Sequence, residues 1–167
     1  KISKKSNKYI YKCFQIATNL IEDNKVLGLI NCPISKESLF NNKYSGVTEF
    51  LSKKSNAKGN EVMLIFNKQL SVSPITTHLP LNKIFKKINK EQIIKKIKII
   101  NSFYIKNLKK KPTIAVLGLN PHNSTGNRNS EEIKIIKPAI ESAKKMNIKA
   151  IGPISTDTSF VIYKKYK

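Results

Sequence analysis

The sequence lacks any uncharged apolar stretch long enough to cross a bilayer. Its longest runs, residues 26–30 and 114–119, fall far short of the roughly 20 residues that a spanning helix needs. No apolar segment follows the lysine-rich opening at residues 1–12, so no secretory leader is expected. Cysteine is scarce. Cys13 and Cys32 are too few for a disulfide framework and fit a reducing compartment. Arginine is scarcer still, with Arg128 alone against 31 lysines. Together these absences exclude secreted and membrane roles and lead us to expect a cytoplasmic protein.

Acidic residues are few as well, and the formal net charge is +22. Charge of that size raises the question of a nucleic-acid partner. Nucleic-acid sites favour arginine for forked and stacking contacts, and here the basic residues are lysines scattered over every segment. Lys, Asn and Ile together account for 74 of the 167 residues. All three use A/T-rich codons, so coding bias produces the same pattern without selection on binding. The charge is therefore read as solvated faces with a weak, salt-sensitive affinity for polyanions; a basic nucleic-acid-binding module stays as an alternative. A hydrophobic content of 40% over 167 residues supports a folded domain, or a piece of a larger enzyme.

The periodicity predicts alternating helices and strands. Ile10, Phe14, Ala17 and Ile21 lie at helical spacing in residues 9–24. Residues 26–31 read as a buried strand ended by Pro33, with a short helical piece after it. Thr48 is placed to cap a helix through Phe50 and Leu51. Residues 61–66 and 70–75 read as an antiparallel strand pair around Asn67-Lys68. A short helix at 81–88 precedes a long one at 90–108, striped by Ile93, Ile94, Ile97, Ile100 and Tyr104. The cleanest strand is 113–119, followed by a polar loop at 120–130. Ser130 then opens a helix to about 147, with Glu131 and Glu132 at its positive end. A strand at 149–154, broken by Gly152-Pro153, and a helix from Thr156 complete an α/β chain with mostly parallel strands and one antiparallel excursion.

Both histidines fall in loops just after strands, where open α/β sheets hold ligands. His78 lies in Thr76-Thr77-His78-Leu79-Pro80-Leu81, and His122 directly follows the best strand. Neutral imidazoles bind divalent metals, and a site wants about three protein ligands; the plainer reading is two ordinary loop histidines. The loop at 120–130, with flexible Gly126 and cationic Arg128 before a helix start, offers a phosphate cradle but matches neither the P-loop nor the dinucleotide fingerprint. Asp157 follows a strand and either orients a substrate or a metal-bound water, or simply caps a helix. Cys32 has no histidine near it in sequence and reads as a half-buried thiol.

In chain order, Gly46-Val47-Thr48-Glu49-Phe50-Leu51, the His78 segment, and Leu117-Gly118-Leu119-Asn120-Pro121-His122 resemble the 4-hydroxythreonine-4-phosphate dehydrogenase family of vitamin B6 biosynthesis. Glu131-Glu132-Ile133, Pro138-Ala139, Ile151-Gly152-Pro153 and Asp157-Thr158-Ser159-Phe160 extend the likeness over nearly the whole chain. The resemblance implies a three-layer α/β fold akin to isocitrate and isopropylmalate dehydrogenases. It also implies a homodimer with its site at the subunit interface, and a requirement for NAD or NADP and a divalent cation (Zn, Mg, Mn or Co). The implied reaction oxidises the C3 hydroxyl of the phosphorylated amino acid 4-phosphooxy-L-threonine and decarboxylates the product to 3-amino-2-oxopropyl phosphate. By motif, His78 and His122 fall on two of three metal-binding histidines. Thr48 falls on a substrate-contacting threonine and Asp157 on a catalytic aspartate.

The sequence also departs from the family pattern. The family usually has His before that threonine, where this chain has Val47. Its loop after His122 is normally glycine-rich with a Glu, where this chain has Asn-Ser-Thr-Gly-Asn-Arg-Asn, one residue short. The third metal histidine and the later Lys, Asn and Arg substrate contacts are expected beyond Lys167, and a Gly-Asp-Pro segment before Lys1. The chain reads as the family's middle section, with 1–112 a substrate and dimerisation region and 113–167 the start of the next α/β region. A degenerate, non-catalytic α/β fragment is the alternative that Val47 and the altered loop favour.

Overall fold

The computed structural model describes residues 3–55, 57, 59–124 and 127–166. The chain divides into two compact units, Lys1–Glu61 and Val62–Lys167.

The first unit is helical. Helix α1 (Lys4–Glu22) opens with a capping box in which the Ser3 hydroxyl accepts from the Ser6 N–H and the Ser6 hydroxyl accepts from the Ser3 N–H. Helix α2 (Lys36–Phe40) ends at Asn41 in the left-handed region, and α3 (Val47–Lys54) follows. Their common core is aromatic. Phe50 sits among Phe40, Tyr44, Phe14 and Tyr11 with ring centroids 5.2–5.6 Å away. Polar ties fasten the helices: Tyr11 Oη donates to the Leu39 carbonyl at 2.8 Å, and Ser52 Oγ donates to Glu61 at 2.9 Å.

Two expectations fail in this unit. Residues 26–31 form no strand, and Leu27 and Ile30 are fully exposed. An apolar run becomes a strand only beside a hydrogen-bonding neighbour, and the described residues supply none. Thr48 is not the cap of α3 either. The extended cap residue is Gly46, so Thr48 is the second residue of the helix.

The second unit carries the α/β core. Residues 62–75 form a loose hairpin held by a single antiparallel bridge, Ile65 to Val72, rather than two full strands. Met63, Ile65 and Phe66 remain exposed. The returning arm is bound to a helix by side chains instead: Lys96 donates to the Pro74 carbonyl and Tyr104 Oη to Ser71. Helix α4 (Leu81–Lys87) leads into α5 (Lys90–Leu108), whose Asn89 cap accepts from the Gln92 N–H at 2.8 Å.

Strands β1 (Ile114–Leu117) and β2 (Ala150–Ile154) pair in parallel, and helix α6 (Lys137–Lys145) crosses between them. Ala139 and Ala143, one turn apart and fully buried, leave room for Ile93 and Ile97 of α5; Ile136, Ile140, Ile148 and Ala150 fill the layer. A wide turn at Glu132–Ile136 precedes α6, with the Lys137 N–H donating to the Glu132 carbonyl. Pro138 explains it, because a residue without an N–H cannot extend the ordinary ladder backwards. Ser130 does not cap by its side chain, since its buried Oγ has no partner among the described residues. The β1–β2 register steps from Ala115–Ile151 to Leu117–Ile154, which leaves one extra residue on β2. It falls at Gly152, where a Cβ would collide with the Val116 carbonyl. The strand thus passes through Gly152-Pro153 rather than breaking there. Helix α7 (Ser159–Ile162) begins three residues later than the Thr156 start that the sequence predicts.

Candidate functional site

Parallel neighbours in a sheet end at the same edge, so the loops after β1 and β2 emerge side by side. The first carries His122 and the second Ser155, Thr156 and Asp157. His122 Nδ1 lies 3.0 Å from Asp157 Oδ2. The imidazole is 78% exposed and the carboxylate 41% exposed, so the pair faces solvent at the sheet edge. Ser155 Oγ donates to the other Asp157 oxygen at 2.6 Å. That hydroxyl is the main reason the Asp157 carboxyl is held below its ordinary range; burial opposes it, and Asp157's own N–H and the charge of His122 assist.

The turn that presents His122 is unusual. His122, Asn123 and Ser124 all have left-handed backbones, with φ of 50°, 56° and 48°. Such conformations persist only when the surroundings hold them. Three ties supply the hold. The Gly118 N–H donates to the Ile154 carbonyl at 2.8 Å, Thr156 Oγ1 donates to the Gly118 carbonyl at 2.6 Å, and Asn123 Nδ2 donates to the Pro153 carbonyl at 3.1 Å.

A fourth hold comes from Glu132, which the sequence offers as a charge near a helix start and as part of the Glu131-Glu132-Ile133 segment. It is 1% exposed. Its Oε1 accepts from the Leu119 N–H at 2.8 Å and the Asn120 N–H at 2.7 Å, and both carboxylate oxygens face Asn120 Nδ2. Burial on its own raises this carboxyl, but the hydrogen bonds from Asn120 and Leu119 outweigh it and bring the pKa down from 4.5 to about 2. The sequence did hold a signal. Glu132 stands one turn before Ile136 on the stripe of Ile136, Ile140 and Ala143, and an acid on an apolar stripe needs buried partners.

The other candidates lie on other elements. His78 is exposed in the loop before α4, with φ of 55°. Among the described residues, no group of three or more His, Cys, Asp or Glu gathers for an ion. Thr48 is exposed on α3 of the first unit, whereas Val47 beside it is half-buried against the aromatic core. The expected phosphate cradle is only partly visible: Arg128 is exposed, and Gly126 lies outside the described residues. Cys32 is exposed rather than half-buried. No described helix is long and apolar enough to cross a membrane.

The profile of the pyridoxal phosphate biosynthetic protein PdxA family matches residues 1–167. The chain belongs to this family. A 4-hydroxythreonine-4-phosphate dehydrogenase from Sulfurihydrogenibium is 39% identical over 168 residues, covering 98% of this PdxA-family chain and 52% of the relative. A D-threonate 4-phosphate dehydrogenase from Pectobacterium atrosepticum is 32% identical, covering 90% and 47%. The crystal structure of the 4-hydroxythreonine-4-phosphate dehydrogenase from Klebsiella pneumoniae superposes with a TM-score of 0.88 at 27% identity, covering 99% of this chain and 51% of that one. The α/β architecture is therefore that of the PdxA dehydrogenases, and the chain spans about half the length of the relatives it matches.

Proposed function

We propose that this PdxA-family chain is the middle section of a homodimeric, cytoplasmic NAD(P)-dependent dehydrogenase with a three-layer fold like that of isocitrate dehydrogenase. In this reading, residues 1–112 belong to substrate binding and dimerisation, and residues 113–167 begin the next α/β region. The substrate is 4-phosphooxy-L-threonine. Hydride leaves C3 for the nicotinamide and the hydroxyl proton is released. The resulting β-keto acid loses carbon dioxide and takes a proton at C2, which gives 3-amino-2-oxopropyl phosphate. The observation that carries this reading is the 3.0 Å His122–Asp157 pair at the carboxyl ends of two parallel strands, on a chain whose relatives are named dehydrogenases.

The donor chemistry suits a divalent cation. A metal-ligating imidazole characteristically gives its other ring N–H to a carboxylate, which fixes the tautomer and raises ligand basicity. Asp157 Oδ2, 3.0 Å from His122 Nδ1, is placed to accept that N–H, which would leave Nε2 as the ligating nitrogen. His78 would join it, one short of the usual three. The bound cation supplies Lewis acidity toward the substrate hydroxyl and the keto oxygen. Asp157, held anionic by Ser155, keeps the His122 ring in one orientation. Thr48 would contact substrate from the start of α3.

A second reading has an observation of its own. Val47 packs on the aromatic core where the family usually has His, which favours a chain that keeps the fold and has lost the chemistry. Calorimetric zinc titration separates the two. The intact chain is expected to bind zinc, and His78→Ala and His122→Ala are each expected to weaken it at least tenfold. Unchanged affinity in either variant overturns the dehydrogenase site.

A further inference from the structure

We infer that Glu132 is the positioning residue of His122: its buried carboxylate, rather than the strands alone, fixes the turn that carries the imidazole. The inference rests on the reading of His122 as a site residue and names what makes that site rigid.

The geometry supports it in three ways. First, the carboxylate's hydrogen bonds extend beyond its own N–H to the end of β1. Oε1 takes the N–H groups of Leu119 and Asn120, and the Asn120 amide bridges to Glu131 and to both oxygens of Glu132. These are the residues between the end of β1 and Pro121. Second, the next three residues, His122 to Ser124, are all left-handed, so the turn needs an outside hold. Third, the role calls for an acceptor with no hydrogens. Two backbone N–H groups and an amide NH2 converge on it, and a buried carboxylate meets all of them without presenting a donor of its own. The side chain is also the right length. Leu119 and Asn120 are reached at 2.8 and 2.7 Å from the wide turn that precedes α6.

A helix-stabilising glutamate would behave differently. It would sit exposed in the first turn and interact only with that helix's own N–H groups. Glu132 is among the most fully buried side chains of the chain.

The chain has only two histidines, so nitrogen-resolved NMR of the full chain, with His78→Ala as the assignment control, isolates the His122 ring. At fixed neutral pH without metal, wild type is expected to show one tautomer, protonated at Nδ1. Glu132→Asp keeps the charge but withdraws it by one methylene. It is expected to give a tautomer mixture at His122 and at least a tenfold loss of zinc affinity. Glu132→Gln keeps the reach and an acceptor oxygen for the Leu119 and Asn120 N–H groups but sets its own NH2 against that of Asn120, and is expected to give a smaller tautomer shift than Glu132→Asp. A purely structural role would lower the melting temperature of Glu132→Asp while leaving the His122 signal as in wild type, and that result overturns the inference. Failure of wild type to take up zinc would count against the metal site alone, because the metal-free NMR comparison decides the positioning role by itself.

Discussion

Replacing Phe50 by Ala tests the packing of the first unit most severely. Phe50 is 2% exposed and is the one ring that touches all the others in its core. Truncating a buried Phe to Ala costs about 3–5 kcal/mol from lost transfer energy and the cavity left behind. Edge-on ring pairs add roughly 0.5–1.5 kcal/mol beyond their area, and Phe50 makes three of them, with Tyr11, Phe14 and Tyr44. The upper half of the range, about 4–5 kcal/mol, is therefore expected. A unit of about 60 residues holds roughly 3–9 kcal/mol in all, so the substitution should consume most of its stability. Hydrogen exchange followed by mass spectrometry resolves the effect by segment. Amides of α1 and α3 should lose protection by about 10²- to 10⁴-fold, since each 1.4 kcal/mol is a factor of ten. Phe50→Leu keeps most of the volume and should lose about tenfold. Protection in α1 within threefold of wild type in Phe50→Ala would refute the aromatic cluster as the organising core.

Other consequences concern the loop that bears His122. The Glu132 carboxyl has a folded pKa of about 2 against an ordinary 4.5; its stabilisation is complete above about pH 4.5 and is lost as pH falls toward 2. Urea unfolding at pH 7 and pH 3 should show an acid loss of about 2 kcal/mol in wild type that is largely missing in Glu132→Gln; equal losses would remove Glu132 as an acid-sensitive group. Gly118→Ala places a Cβ against Asn123 Oδ1. It should cost about 1–3 kcal/mol through overpacking, read as a drop in melting temperature, and an unchanged melt would show that the Asn123 side chain yields freely.

Where the sequence reading succeeded, one element could bury its own face. The α5 stripe needs only Ile93 and Ile97 turned toward α6, and residues 114–117 and 150–154 find each other because their crossover is local. Where it failed, the missing information was non-local. Residues 26–31 have strand composition but no ladder neighbour among the described residues. The hairpin at 62–75 is docked by Lys96 and Tyr104 of a later helix rather than by a full ladder, which no pattern within the hairpin encodes. The same holds at the site. His122 and Asp157 were visible as strand-end residues, and their meeting follows from strand adjacency. Glu132 was hidden because its identity as a charged residue masked its phase on the helix. Val47 was noticed as a departure, but only its contact with the aromatic core shows what it does.

The extra residue at Gly152 also acts as a spacer of fixed length. Each strand residue adds about 3.3 Å of reach, and between Ala115–Ile151 and Leu117–Ile154 the second strand spends three residues where the first spends two. Removing one residue there would pull Ser155, Thr156 and Asp157 back by more than the 3.0 Å that separates Asp157 from His122. A single deletion within β2 would then part the pair as thoroughly as mutating either member. In this fold a count of backbone units, as much as any side chain, decides whether the two groups meet.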